Sequence, residues 1–363
     1  MTKLIVHVAE IDLSEESGMG RVSCFWKHEF ERRGYDFIHI GLKQVGAISH
    51  PAYFPRAAFK VYQKLQLNPA LILVHEPASG FFLRAKVPVA VFSHGIERRA
   101  WNLSLHGKDG SNKKPSLKTR LLFPYWRLRH CDLGLKKSNF LLIINQEDSQ
   151  FAQTYYHKYD KQIFVFRNGI HPLQLDETVQ PKQPICVLFN GSWIDRKGIY
   201  TLTQTAQILN KRSLHLRWLL IGTGSNREAV LKNWASELHP HIEVIPHFQA
   251  QEEAMLLARA NIFVLPSFFE GQPLSLLQAM AAGRCCITTD CCGQKDLITS
   301  GYNGLLYQPG DALELANLIA ECAIDEALRL TLGRNARLSV SDRTWQNVSK
   351  EVVDHVEQFL HQV

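Results

Sequence analysis

No stretch of this 363-residue chain approaches 18 consecutive apolar residues, so no membrane-crossing helix is expected. The N-terminus, MTKLIVHVAEIDLSEE, meets acidic residues after one short apolar run. That leaves no room for the apolar segment of a secretory signal and points to a cytoplasmic protein. The eight cysteines form no C-x-x-C pair with a histidine partner that reads as zinc, so buried free thiols are expected, including those in CCITTDCC (285–292). Asp-x-Asp is absent as well, which removes a common way of holding a divalent ion. Missing too are the third glycine of a dinucleotide fingerprint and an acidic residue closing the second strand, which argues against a nicotinamide-dependent oxidoreductase. What the chain does contain, 45% hydrophobic and 21% charged residues, excludes a disordered or fibrous protein and suits two or three domains.

Acidic residues are scarce in one place. Residues 1–180 carry 25 Lys/Arg against 16 Asp/Glu, whereas residues 181–363 carry 16 against 18. Within the first half, residues 98–137 hold 11 cations and only Asp109 and Asp132, interleaved with Trp101, Phe123, Tyr125 and Trp126. The imbalance therefore sits in one forty-residue segment.

Apolar runs at 3–9, 36–41, 70–75, 87–92, 140–145 and 162–166 alternate with segments long enough for crossover helices. Runs without strict alternation indicate strands buried on both faces, hence a parallel sheet. A second series reads 185–191, 216–222, 242–248, 261–266 and 284–290, with helical patterns at 198–212, 226–238, 251–259 and 273–282. Two doubly wound α/β domains follow: 1–172, a proline-bearing linker at 173–184, and 185–344. The tail, 345–363, is an amphipathic helix with Val348, Val352, Val356 and Leu360 on one face, expected to pack back on the N-terminal domain.

Ligands of such folds sit at the strand C-termini, and four loops there carry chemistry. Ser17-Gly18-Met19-Gly20-Arg21 and Ile221-Gly222-Thr223-Gly224 are glycine loops in which backbone N–H groups can approach an anion; each alone is equally a tight turn. In Asn190-Gly191-Ser192-Trp193-Ile194-Asp195-Arg196-Lys197-Gly198 two cations precede a helix, where they oppose its dipole and must face solvent or an anion. In NIFVLPSFFEGQPLSLLQAMAAG a strand leads to Glu270, Gly271 and Pro273, the last expected at the first helical position. The helix that follows is apolar nearly all round, so Leu274 and Ser275 offer unpaired N–H groups to an anion beside the carboxylate.

SFFEGQPLSLLQAMAAG, with NGSWIDRKG and IGTG before it and GQKDLITSGYNGLL after it, resembles the C-terminal domain of retaining glycosyltransferase family 4, of GT-B fold. The likeness is dense in the second half and thin in the first, where it rests on Gly18 to Gly20, Ser93-His94-Gly95 and Asn168-Gly169-Ile170. It implies two Rossmann-like domains facing each other across a cleft. The implied reaction is transfer of a sugar, with retention, from a nucleotide diphosphate sugar such as UDP-glucose or a relative, and no metal or other cofactor is expected. Lys197 would contact the phosphates, and the backbone at Leu274 and Ser275 would cap the distal one. Glu270 would hold sugar hydroxyls and help stabilise the oxocarbenium-like transition state, and His94 would bind the sugar from the N-terminal side. Gly18, Gly20, Arg196, Gly222, Gly224, Gly271 and Gln278 complete the implied donor site. Two positions depart from the family pattern. Gln278 stands where a glutamate accepts from the ribose diol, and Ser192 where an arginine is usual, a charge that Arg196 is placed to replace. These departures keep a non-catalytic nucleotide-sugar-binding protein as the alternative.

The basic, aromatic segment 108–137 suits an anionic membrane surface, against a solvated basic loop or a nucleic-acid contact. In view of the resemblance the expectation is peripheral attachment at the inner membrane face with a saccharide or lipid-linked acceptor, and no nucleic acid.

Overall fold

The computed structural model describes residues 3–15, 18–111, 113–171, 173 and 184–362. The chain divides into two compact units, residues 1–105 with 114–169 and 345–363, and residues 106–113 with 170–344. The expected linker falls almost wholly outside the described residues.

The first unit is built on strands β1 (Leu4–Val8), β2 (Asp36–Ile40), β3 (Leu71–His75), β4 (Val89–Ser93), β5 (Phe140–Ile143) and β6 (Ile163–Val165). Its helices are α1 (Gly18–Arg32), α2 (Leu42–Val45), α3 (Phe54–Lys64), α4 (Glu76–Phe82), α5 (Glu97–Leu105), α6 (Leu117–Phe123), α7 (Arg129–Lys137) and α8 (Gln146–Tyr156). The sheet is parallel, in the order β2-β1-β3-β4-β5-β6. Ile72, Val74, Val89, Val91, Leu141 and Ile143 are buried within one apolar cluster with Ala58, Ala78 and Phe82, and Leu71, Leu73, Ala90, Phe92 and Leu142 on the opposite face are buried too, which is why these strands read as unbroken apolar runs.

The second unit contains β7 (Cys186–Asn190), β8 (Arg217–Ile221), β9 (Ile242–Ile245), β10 (Ile262–Leu265), β11 (Cys285–Thr289) and β12 (Leu305–Tyr307). Its helices are α9 (Ile199–Lys211), α10 (Arg227–Leu231), α11 (Glu253–Ala258), α12 (Leu274–Ala281), α13 (Cys292–Leu297), α14 (Ala312–Ile324) and α15 (Glu326–Ser339). This sheet is also parallel, in the order β12-β11-β10-β7-β8-β9. The last helix, α16 (Trp345–Leu360), returns to the first unit. There Val348, Val352 and Val356 are buried, Phe25 stacks on Trp345 at 5.0 Å, and Arg33 pairs with Glu357 at 2.5 Å.

Some local expectations need correction. The helical pattern at 226–238 yields α10 alone, followed by a 3-10 turn at Ser236–His241. Pro240 cannot continue an α-helix, and Asn233 is held instead by the Trp193 indole N–H at 2.9 Å. The three-residue strand β12 carries too short a pattern to be foreseen. Residues 106–113, encoded between α5 and α6, belong with the second unit, where a β-carbon on Gly110 would lie 2.4 Å from the Phe268 ring.

Candidate active site

Strand order fixes where loops can converge. In each unit the order reverses once, and the loops after the two strands flanking that reversal splay apart and leave room for a ligand. The reversal lies between β7 and β10 in the second unit and between β1 and β3 in the first.

In the second unit the loop after β7 carries Arg196 and Lys197 on a 3-10 turn, Asp195–Lys197, and the loop after β10 carries Glu270. Lys197 Nζ lies 2.6 Å from the Glu270 carboxylate and Arg196 3.5 Å from it, while Arg196 also donates to the Phe269 carbonyl. The anion that these cations face is thus Glu270, and the solvated reading of the pair is set aside. Burial alone would raise the Glu270 carboxyl; the charges of Lys197 and then Arg196 outweigh it and hold the group below its ordinary value. The site therefore keeps a buried carboxylate charged at neutral pH. Ser192 is exposed, so Arg196 is the guanidinium at this carboxylate.

Backbone packing sets this geometry. Gly198 ends the Lys197 turn at φ +74°, and a β-carbon there would fall 1.9 Å from the Pro266 carbonyl oxygen, so only glycine lets the two loops meet. The 266–273 loop is fixed from the other side: Thr289 Oγ1 and the Gln294 amide both donate to the Ser267 carbonyl, at 2.6 and 3.2 Å. A β-carbon on Gly293 would lie 1.6 Å from the Gly271 oxygen. Pro273 is the N-cap of α12, not its first residue; with extended backbone and no capping side chain it leaves the first-turn N–H groups at Leu274 and Ser275 without intrahelical acceptors. Gln278, one turn on, is buried, and its Oε1 has no hydrogen-bond partner among the described residues. Gly222 and Gly224 both adopt positive φ after β8, and Gly222 approaches the Asn190 side chain at the end of β7.

In the first unit Gly18 is the first residue of α1 and Gly20 is buried in its first turn, so these glycines form a helix N-terminus and not the loop before it; Ser17 lies outside the described residues. His94, after β4, is half-buried against Phe92, His75 and Phe166, and its buried Nε2 has no partner among the described residues. Burial lowers its pKa to about 4, so the ring is neutral at physiological pH. Sequence reasoning missed its surroundings. His7 and His39 are register partners on β1 and β2, joined Nδ1 to Nδ1 at 2.8 Å. His39 Nε2 donates to the Ile11 carbonyl, so His39 Nδ1 accepts and His7 Nδ1 donates; His7 Nε2 is left as a buried acceptor without a partner among the described residues. Glu76, opening α4 directly after β3, was missed as well. It accepts from Ser93 Oγ at 2.7 Å and from the Glu97 N–H at 3.1 Å, and burial, then repulsion from Glu97, raises its pKa to about 8. The available signal was an acid placed directly between the apolar run LILVH and a proline.

Two Rossmann-like units in tandem, each on a six-stranded parallel sheet, give the chain the architecture of the GT-B fold. Residues 184–325 match the family described as glycosyl transferases group 1. An N,N'-diacetylbacillosaminyl-diphospho-undecaprenol alpha-1,3-N-acetylgalactosaminyltransferase of Campylobacter jejuni is 29% identical over 56% of this chain and 50% of its own length. The N-acetyl-alpha-D-glucosaminyl L-malate synthase of Bacillus anthracis is 27% identical over 95% of this chain and 94% of its own. The chain spans 64% and 50% of the length of the first two curated relatives it matches. Among solved structures, a sucrose-phosphate synthase from Thermosynechococcus elongatus superposes with a TM-score of 0.79 at 18% identity, covering 99% of this chain and all of that one. An Anabaena protein, HepE, in complex with UDP and glucose superposes at 0.67 and 16%, covering 97% and 99%. The chain thus has the GT-B fold, and residues 184–325 of its second unit match the group 1 glycosyl transferase family.

Proposed function

We propose that this chain is a retaining, metal-independent glycosyltransferase of family 4 that moves a sugar from a UDP-sugar to a saccharide or lipid-linked acceptor in polysaccharide or glycolipid assembly. It does so at the inner membrane face, attached through 108–137. The observation that carries this reading is the Lys197, Arg196 and Glu270 cluster at the β7/β10 reversal beside the uncapped start of α12. UDP as the nucleotide is supported by the UDP-bound neighbour of the same fold, and a lipid-linked acceptor by the undecaprenol-linked substrate named for the Campylobacter relative.

In this mechanism the departing UDP is neutralised by Lys197 and by the N–H groups at Leu274 and Ser275. Preorganised donors of this kind lower the barrier because charge develops on the leaving group and nothing must reorganise to meet it. Glu270, kept ionised by its cations, accepts from the sugar hydroxyls and stabilises positive charge growing at the anomeric carbon. Gln278 offers its unpaired carbonyl to the ribose, and in the first unit neutral His94 is assigned to the sugar. UDP-sugar turnover in excess EDTA tests the proposal: undiminished turnover is expected, and a loss restored by magnesium or manganese overturns the metal-free mechanism. Absence of both donor hydrolysis and transfer would leave a nucleotide-sugar-binding protein.

A further inference from the structure

The first unit carries a surface almost free of acid. Between Asp36 and Glu97 the single acidic residue is Glu76, which is buried, against six Lys/Arg; between Lys113 and Asp132 there is none, against five more. Arg127 turns away to Glu10 and Glu97, and none of the others pairs with a carboxylate among the described residues. Two structural features share this surface.

The first is a hollow of about 300 Å³ between α3 and α4, lined by Arg56, Phe59, Lys60, Gln63, Phe81 and Arg84. Its three cations are exposed, and none of them pairs with a carboxylate among the described residues. The second is α6 with the wide helical turn Pro124–Leu128 after it. Leu117, Leu121 and Tyr125, at i, i+4 and i+8, are 77, 76 and 69% exposed, an apolar stripe set among Lys114, Lys118, Arg120 and Arg129. Such a stripe costs free energy in water unless something covers it. Aromatic contacts hold it in place from beneath: Phe123 packs on Trp101 at 4.8 Å, and Trp126 on His50 at 5.0 Å. The two features adjoin through Arg129, which lies over the Tyr125 ring, and His130, whose ring is 4.4 Å from Phe81 of the hollow.

We infer that the α3/α4 hollow seats the phosphate of an anionic phospholipid headgroup while the Leu117, Leu121 and Tyr125 stripe enters the acyl region of the same leaflet. An apolar stripe next to cations without carboxylate partners complements a bilayer in both respects: hydrocarbon meets the stripe, and headgroup phosphate meets Arg56, Lys60 and Arg84. The inference rests on the membrane reading of 108–137 and extends it to residues outside that segment.

Co-sedimentation of the full chain with vesicles of phosphatidylcholine, alone or mixed with phosphatidylglycerol, tests it. The wild-type chain should bind the mixed vesicles and discriminate against phosphatidylcholine alone. Combined Arg56→Gln, Lys60→Gln and Arg84→Gln should weaken mixed-vesicle binding by about a hundredfold, the effect expected of three nearby cations, with an unchanged thermal melt. Lys60→Arg should bind as wild type. Leu117→Ser with Leu121→Ser should weaken binding yet keep the preference for phosphatidylglycerol. If the triple variant binds mixed vesicles as wild type does, the hollow holds no headgroup, while the membrane reading of 108–137 stands. If the wild-type chain binds no vesicle, or is retained by single-stranded RNA instead, both fail. Inorganic phosphate that abolishes vesicle binding at physiological concentration would mark the hollow as a site for a soluble anion and overturn the assignment to lipid.

Discussion

The strand reversals of the two units treat buried charge in opposite ways. In the second unit Glu270 is buried but meets Lys197 at 2.6 Å and Arg196 at 3.5 Å, so the carboxylate stays ionised. In the first, Glu76 is as deeply buried and has Glu97 and Asp148 for charged neighbours, so its pKa rises to about 8; His94, after the neighbouring β4, is pushed down to about 4. Burial without a partner removes charge, and burial beside a fixed partner of opposite sign preserves it. One reversal therefore keeps a charged carboxylate at neutral pH, and the other keeps its carboxyl protonated.

The largest expected effect breaks this contrast in the first unit. Glu76 has a raised pKa in the fold, so its contribution to stability is fully present below about pH 4.5, the unfolded value, and is lost as pH rises towards 8. His94 is lowered, so its contribution is present above about 6.5 and is lost as pH falls towards 4. Denaturant titrations of Glu76→Gln across this range should lose the alkaline decline and keep the acid one. That decline is on the order of 5 kcal/mol, because each tenfold gain in proton affinity on folding contributes about 1.4 kcal/mol. An unaltered alkaline limb would show that Glu76 does not titrate as its burial demands.

Next, Lys197→Ala takes the partner from the paired reversal. Turnover of a UDP-sugar should fall by about a hundredfold or more, corresponding to ~3 kcal/mol for one preorganised donor. Near-normal steady-state kinetics would reduce Lys197 to a structural counter-ion of Glu270.

Gly293→Ala tests whether backbone contact holds the paired site in shape. Its β-carbon would fall 1.6 Å from the Gly271 oxygen, so the Glu270 loop must shift; stability should fall by about 2 kcal/mol in a thermal melt, together with turnover. A variant as stable and active as wild type would show the loop to be adaptable.

Smallest is Gln278→Glu. A carboxylate can accept from both ribose hydroxyls, whereas the new charge is repelled by the diphosphate, so UDP affinity measured by calorimetry should rise a few-fold at most, about 1 kcal/mol or less. If this change and Gln278→Ala both leave the affinity unchanged, the side chain does not reach the nucleotide.

Most strands were legible in the sequence because burial on both faces leaves uninterrupted apolar runs. The Lys197 and Glu270 loops were legible because charge is conspicuous directly after such runs. That the two residues pair was not written locally, since 73 positions separate them and only the adjacency of β7 and β10 brings them together. The same holds for His7, His39, His75 and His94, scattered along the chain and gathered by the order β2-β1-β3-β4. Residues 106–113 escaped for a related reason: nothing in HGKDGSNK indicates that Gly110 fits against Phe268 and the Asp195 carbonyl.

In the proposed mechanism Glu270 is a charged group acting on the sugar and not on the nucleotide. The most direct measurement is UDP-sugar turnover by Glu270→Gln alongside calorimetry of UDP binding at the same pH and salt. The expected result is a fall in turnover of about a hundredfold or more, with UDP affinity held within about twofold. Unchanged turnover, or UDP affinity lost in the same proportion, would contradict it.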